Sequence, residues 1–68
     1  MNSEKAVQNI CESMRDCLRY AKKARGNTKE FNTFIARARR WQEMLQDYMS
    51  SQEARTLFLQ AYRDILER

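Results

Sequence analysis

Glu43 and Asp47 stand four residues apart, the spacing that puts two carboxylates on one face of a helix, where such a pair can serve acid–base chemistry or hold a divalent metal. Glu53, Asp64 and Glu67 follow along the chain. The chemistry goes no further, because the 68 residues contain no histidine. The commonest metal ligand, the usual general base and the imidazole that activates a nucleophile are all missing. A glycine-rich loop is missing too, since the chain has a single glycine, Gly26. The acids read instead as partners for local cations such as Arg39 and Arg40 one turn earlier, each pair contributing roughly 0.2–0.5 kcal/mol. The sequence predicts a non-enzymatic protein with no catalytic, metal or cofactor site and no small-molecule substrate.

Cys11 and Cys17 are the only cysteines. Six residues along a helix turn the direction of the side chain by about 240°, so these two cannot close a disulfide within one helix. They are expected to be reduced, structural and buried, with an intermolecular disulfide or redox role as the alternative.

The net charge of +4 is uneven, for between Arg15 and Arg40 nine Lys or Arg stand against two acids. Antiparallel pairing about a turn at Gly26 levels Arg15, Arg19, Lys22 and Lys23 with Arg37, Arg39 and Arg40, with Arg25 and Lys29 at the tip. One basic patch is the expectation. Such a patch suits a phosphate backbone, with Tyr20 as a stacking ring, and would make the chain a small phage- or plasmid-type nucleic-acid-binding regulator. The same residues also read as a solvated face or as a surface for an acidic protein.

These side chains must be carried by helices. Apolar residues recur every three or four positions almost from end to end, there is no proline, and the rhythm breaks twice. The first helix spans about 3–24, starting at a Ser3 cap, with the seam Val7, Ile10, Met14, Cys17, Ala21 and Ala24 widened by Cys11 and Leu18. Gly26 ends it by accepting the left-handed conformation, and Asn27 with Glu30 forms a capping signature for a second helix over 28–49. Its seam is Phe31, Phe34, Ala38, Trp41, Leu45 and Tyr48, flanked by Ile35, Met44 and Met49. Ser50 with Glu53 opens a third helix over 51–67 whose core face is Ala54, Leu57, Phe58, Ala61, Tyr62 and Ile65. The fold class is all-α, an antiparallel three-helix bundle made of a long hairpin and a shorter third helix, in one domain.

Small residues on the first helix face large ones on the second, so Cys17, Ala21 and Ala24 can receive Phe31, Phe34 and Trp41. The aromatic stripe of Phe31, Phe34, Trp41, Tyr48, Phe58 and Tyr62 reads as core. The second helix nevertheless carries more apolar bulk than two thin neighbours cover, and the surplus marks a docking strip at Ile35, Trp41, Met44 and Tyr48. Trp41 and Tyr48 best join an apolar body to a polar tip.

A chain of this size buries only about 60% of its unfolded surface, which makes self-association as a dimer a ready source of stability. With 43% hydrophobic and 32% charged residues it should fold. No apolar run reaches the roughly 20 residues of a membrane span, and no signal-peptide core follows Lys5. A soluble, cytoplasmic protein is expected.

Ala24-Arg25-Gly26 closing one helix, then Lys29-Glu30-Phe31-Asn32 and Phe34 opening another with Arg37, Ala38 and Trp41, resembles the hairpin of the small co-chaperones that hold the needle subunit of type III secretion systems. The resemblance covers Ala24 to Trp41, and the third helix departs from it. It implies a cytoplasmic helical hairpin that acts by pairing with a second chaperone. The Phe31-Asn32-Thr33-Phe34-Ile35 turn is also similar to the helical carboxy-terminal domain of the larger Ku subunit, which binds a DNA-repair kinase. The expected role is a protein–protein interaction module, an adaptor, regulator or co-chaperone, with nucleic-acid binding as the alternative and no membrane partner.

Overall fold

The structure, a computed structural model, describes residues 3–68 and is an all-α, three-helix bundle of 41 × 17 × 16 Å. Helix α1 spans Ser3–Lys23, α2 spans Thr28–Leu45 and α3 spans Ser51–Leu66. The chain goes up, down and up again, so α1 and α3 end where α2 begins.

Both internal caps form as the sequence predicts. The Asn27 side-chain oxygen accepts from the Glu30 N–H at 3.1 Å, and Ser50 Oγ accepts from the Glu53 N–H at 3.1 Å. Each satisfies a helix-start donor that has no intrahelical partner. Glu53 Oε1 in turn accepts from the Ser50 hydroxyl at 3.0 Å, which locks the second cap. Ser3, expected as the cap of α1, is instead already helical.

Two local expectations are corrected. Helix α2 ends at Leu45, four residues short of Met49, because the N–H groups of Gln46, Asp47 and Tyr48 reach the carbonyls three residues back and tighten the chain into a turn. The extended backbone of Ser50 then redirects it into α3. Gly26 does not use the left-handed region, for no described residue has a positive φ. Its turn is closed instead by the Asn27 N–H on the Ala24 carbonyl at 2.9 Å.

The core joins Ile10, Met14 and Leu18 of α1 to Ala38 and Leu45 of α2 and Ala54, Phe58, Ala61, Ile65 and Leu66 of α3. Leu18 rather than Cys17 lies at the centre of the α1 stripe, with Leu18 fully buried and Cys17 half-buried. The reason is geometric. A helix with neighbours on two sides buries the line between them, and Leu18 lies between α2 and α3 whereas Cys17 is turned toward α2 alone. Val7, Ala24, Phe31, Phe34 and Trp41 are half-buried as well. Alanines at 21, 38, 54 and 61 have no exposed surface, which lets the three backbones approach closely.

Candidate functional site

Helix α2 has two flanks, and each faces a different neighbour. On one, Arg39 lies over the Phe58 ring at 6.0 Å, and Arg39, Gln42, Glu43 and Gln46 line a polar hollow with Arg55, Phe58 and Leu59 of α3. On the other, Phe34 stacks on Tyr20 of α1 with ring centroids 5.5 Å apart and an interplanar angle of 24°, and the Trp41 side chain lies beside Cys17. Successive residues turn by about 100°, so Ile35 shares the first flank with Arg39, while Arg37 and Met44 share the second with Phe34 and Trp41.

The expected docking strip is therefore divided. Ile35 is half-buried on the side of α3. Trp41, half-buried, and Met44, 47% exposed, sit on the open flank. Tyr48, 48% exposed, lies beyond the end of α2 and lines a hollow with Ser3, Glu4, Val7 and Gln8 at the start of α1.

The open flank is a groove with two ladders. Ser13, Cys17 and Tyr20 come from α1 and Ala24 from the turn that follows it, and Phe34, Arg37, Trp41 and Met44 come from α2. Both runs alternate steps of three and four, the spacing of a heptad seam. Tyr20 is 54% exposed, the Lys23 ammonium lies 5.8 Å from its ring centroid, and the Arg37 guanidinium lies 5.5 Å from that of Phe34. Cation and ring attract in this geometry by roughly 0.5–1 kcal/mol at exposed sites. Neither cation has an acidic partner among the described residues. In the sequence Cys17 and Ala24 read as core and Tyr20 as a stacking ring beside the basic patch, while Ser13 carried no signal of its own.

Burial is the leading influence on the Cys17 thiol and pushes its pKa up; the Trp41 indole N–H and the nearby Arg37 charge pull the other way, and Asp16 adds to the rise. Cys11 is likewise raised by burial, with Arg15 opposing. Both are free and half-buried rather than interior.

The single basic patch expected around the first turn divides among faces. Arg15 pairs with Asp64 at 3.5 Å and Arg19 with Asp16 at 2.7 Å, and these two arginines line the α1–α3 side together with Lys22 and Arg68. Lys23 and Arg37 border the α1–α2 groove, Arg39 belongs to the α2–α3 side, and Arg40 points outward, opposite buried Ala38. Pairing about the turn fixes level along the bundle and leaves direction around each helix free, which is why level residues ended on different faces. The two described ion pairs do not involve Glu43 or Asp47. No group of three or more His, Cys, Asp or Glu able to hold a metal occurs among the described residues, and no described helix is long and apolar enough to cross a membrane. No protein-family model, curated protein or solved structure matches the chain.

Proposed function

We propose that this chain is a non-enzymatic interaction module that binds a protein partner through the α1–α2 groove. The observation that carries the reading is the exposed Tyr20–Phe34 stack continuing into Trp41 and Met44, large apolar groups left open on the side of the hairpin that α3 does not cover. Aromatic and methionine side chains of this kind concentrate binding energy in protein interfaces. The resemblance of the Ala24–Trp41 hairpin to secretion co-chaperones, which work by pairing with another protein, points the same way, and a cytoplasmic adaptor or co-chaperone is the role proposed.

The test is affinity capture from the native cell, with and without nuclease, using the wild-type chain and Met44→Glu. Met44 is half exposed, so the charge leaves the fold intact. A partner held by wild type after nuclease treatment and lost with Met44→Glu is the expected result. Equal capture by both proteins rejects the groove.

A second reading, nucleic-acid binding, has one observation in its favour. The Tyr20–Phe34 stack bordered by Lys23 and Arg37 offers a base a ring to stack on beside cations for its phosphate. Against it stands the division of the remaining basic residues among separate faces. Binding that is removed by nuclease and weakens steeply with salt would favour this reading over the first.

A further inference from the structure

We infer that the hollow between the second half of α1 and the end of α3 binds a run of two or three phosphates on one polyanionic strand, the chemistry shared by single-stranded nucleic acid and inorganic polyphosphate. The hollow lies on a different face from the α1–α2 groove, so the inference goes beyond the protein-partner reading and does not rest on it.

Arg15, Arg19, Lys22 and Arg68 line this hollow, with Asp64 as its one carboxylate and buried Ile65 as its apolar lining. The acids present leave most of that charge unused. Asp64 meets Arg15 at 3.5 Å. That is outside the roughly 2.7–2.9 Å of a charge-assisted hydrogen bond, so most of the N–H donors of the guanidinium remain open. Asp16, which does not line the hollow, meets Arg19 through one oxygen at 2.7 Å. Lys22 and Arg68 have no acidic partner among the described residues. The carbonyl ends of the helices also attract cations, and at the end of α3 Arg25 already occupies the Leu66 carbonyl. The dipole effect falls off within the last turn, and Arg15 and Arg19 stand a turn or more before the end of α1 at Lys23.

Spacing and surface chemistry name the ligand. From Arg15 to Lys22 is seven residue steps, or about 10 Å at 1.5 Å each, too long for one phosphate to meet every cation. A stacked strand carries one charge about every 3.4 Å, so two or three successive phosphates span that length. Guanidinium forks match phosphate oxygens in pairs, and Arg15 and Arg19, four residues apart, present two forks on one side of α1. An acidic protein surface is the poorer occupant. Interfaces between proteins place apolar groups at their centre, whereas this hollow offers only Ile65, which is 9% exposed. Contact here is charge on charge, which a polyanion without an apolar face supplies.

The test is calorimetric titration of the full chain with three probes at several salt concentrations: a single-stranded oligonucleotide of mixed sequence, inorganic polyphosphate and inorganic phosphate. The two strands are expected to bind with a log–log salt slope of about −1.4 to −2.1, from roughly −0.7 for each of two or three phosphates, and inorganic phosphate is not. Arg19→Glu with Lys22→Glu is expected to lower affinity by about tenfold or more. Lys29→Glu with Arg40→Glu makes the same change of net charge at two exposed positions away from the hollow, and is expected to lower it by less than about threefold. Helix content is followed in each variant. Where the first reversal reduces it, Arg19→Gln with Lys22→Gln reads the same contacts and is expected to flatten the salt slope by about 1 or more. Equal losses in the two reversed variants reduce the binding to net charge and overturn the site, as does an unchanged slope in the Gln variant. Binding of inorganic phosphate as tight as that of the strands, at matched phosphate concentration, overturns the run of phosphates. No binding of either strand at about 50 mM salt overturns the inference outright. Tighter binding of the oligonucleotide identifies a nucleic-acid strand as the source and tighter binding of polyphosphate identifies the other, and both support the site. The outcome leaves capture through Met44 untouched.

Discussion

The Arg25 guanidinium donates a hydrogen bond to the main-chain carbonyl of Leu66, linking the turn after α1 to the end of α3 across 41 positions of sequence. Leu66 is 2% exposed and ends its helix, so its carbonyl is one of the four that an α-helix leaves without an internal partner. A cation there also meets the negative end of the helix dipole. Arg25 is exposed, so removing the bond with Arg25→Ala should cost about 1 kcal/mol, the typical net contribution of an intramolecular hydrogen bond. Amide exchange of the last turn of α3 should rise well above that of the α1–α2 hairpin. Uniform exchange across the three helices would show that the contact does not anchor this end.

The displaced centre of the α1 stripe gives a paired prediction. Leu18→Ala opens a fully enclosed site and should cost about 2–5 kcal/mol by urea titration, enough to unfold much of so small a domain. Cys17→Ala, at a half-buried position facing one neighbour, should cost less than half as much. Equal losses would return Cys17 to the centre of the core.

Gly26 supplies a substitution of the opposite sign. Its φ is not positive, and a Cβ added there would meet nothing within 4 Å. Gly26→Ala should therefore stabilise the protein by about 0.4–1 kcal/mol by narrowing the conformations open to the unfolded chain. A lower melting temperature would mean that the turn needs glycine after all.

Both thiols should resist modification. Burial raises the pKa of Cys11 and of Cys17 above the ordinary value of 9.0, so the folded chain holds these protons to higher pH than the unfolded chain does. The pH midpoint for alkylation by iodoacetamide should lie above 9.0 in the native protein and fall toward it in urea. The linked stability follows from proton counts. Once pH passes the unfolded thiol value the unfolded chain binds fewer protons, and stability declines until the native thiols also ionise. Native midpoints at or below the urea values would contradict this.

The number and type of the helices were legible in the sequence, and so were two of their starts, because Asn27 with Glu30 and Ser50 with Glu53 are local devices that act within one turn. The end of α2 was not, since Tyr48 and Met49 continue the apolar rhythm past Leu45 and only the backbone shows the change to a turn. Leu66 was missed from the core because it lies in the last turn, where burial depends on the neighbouring bundle end. What the sequence could not supply was direction around each helix. Trp41 was read on the seam of the second helix and Ile35 beside it, yet α3 covers the side of Ile35 and leaves that of Trp41 open. The same uncertainty scattered the basic residues that pairing about the turn had set level with one another.

The up-down-up course of the chain gathers the carboxyl ends of α1 and α3 at one pole of a molecule 41 Å long and only 17 Å across. Two helix dipoles against one leave that pole with an excess of negative partial charge, and Lys22, Lys23, Arg25 and Arg63 are the counterweight that lies nearest to it. Exchanging these four for neutral residues would therefore loosen the pole from within as well as discharge its surface, so a screen that reads only lost affinity at these positions would mistake a softened scaffold for a missing contact.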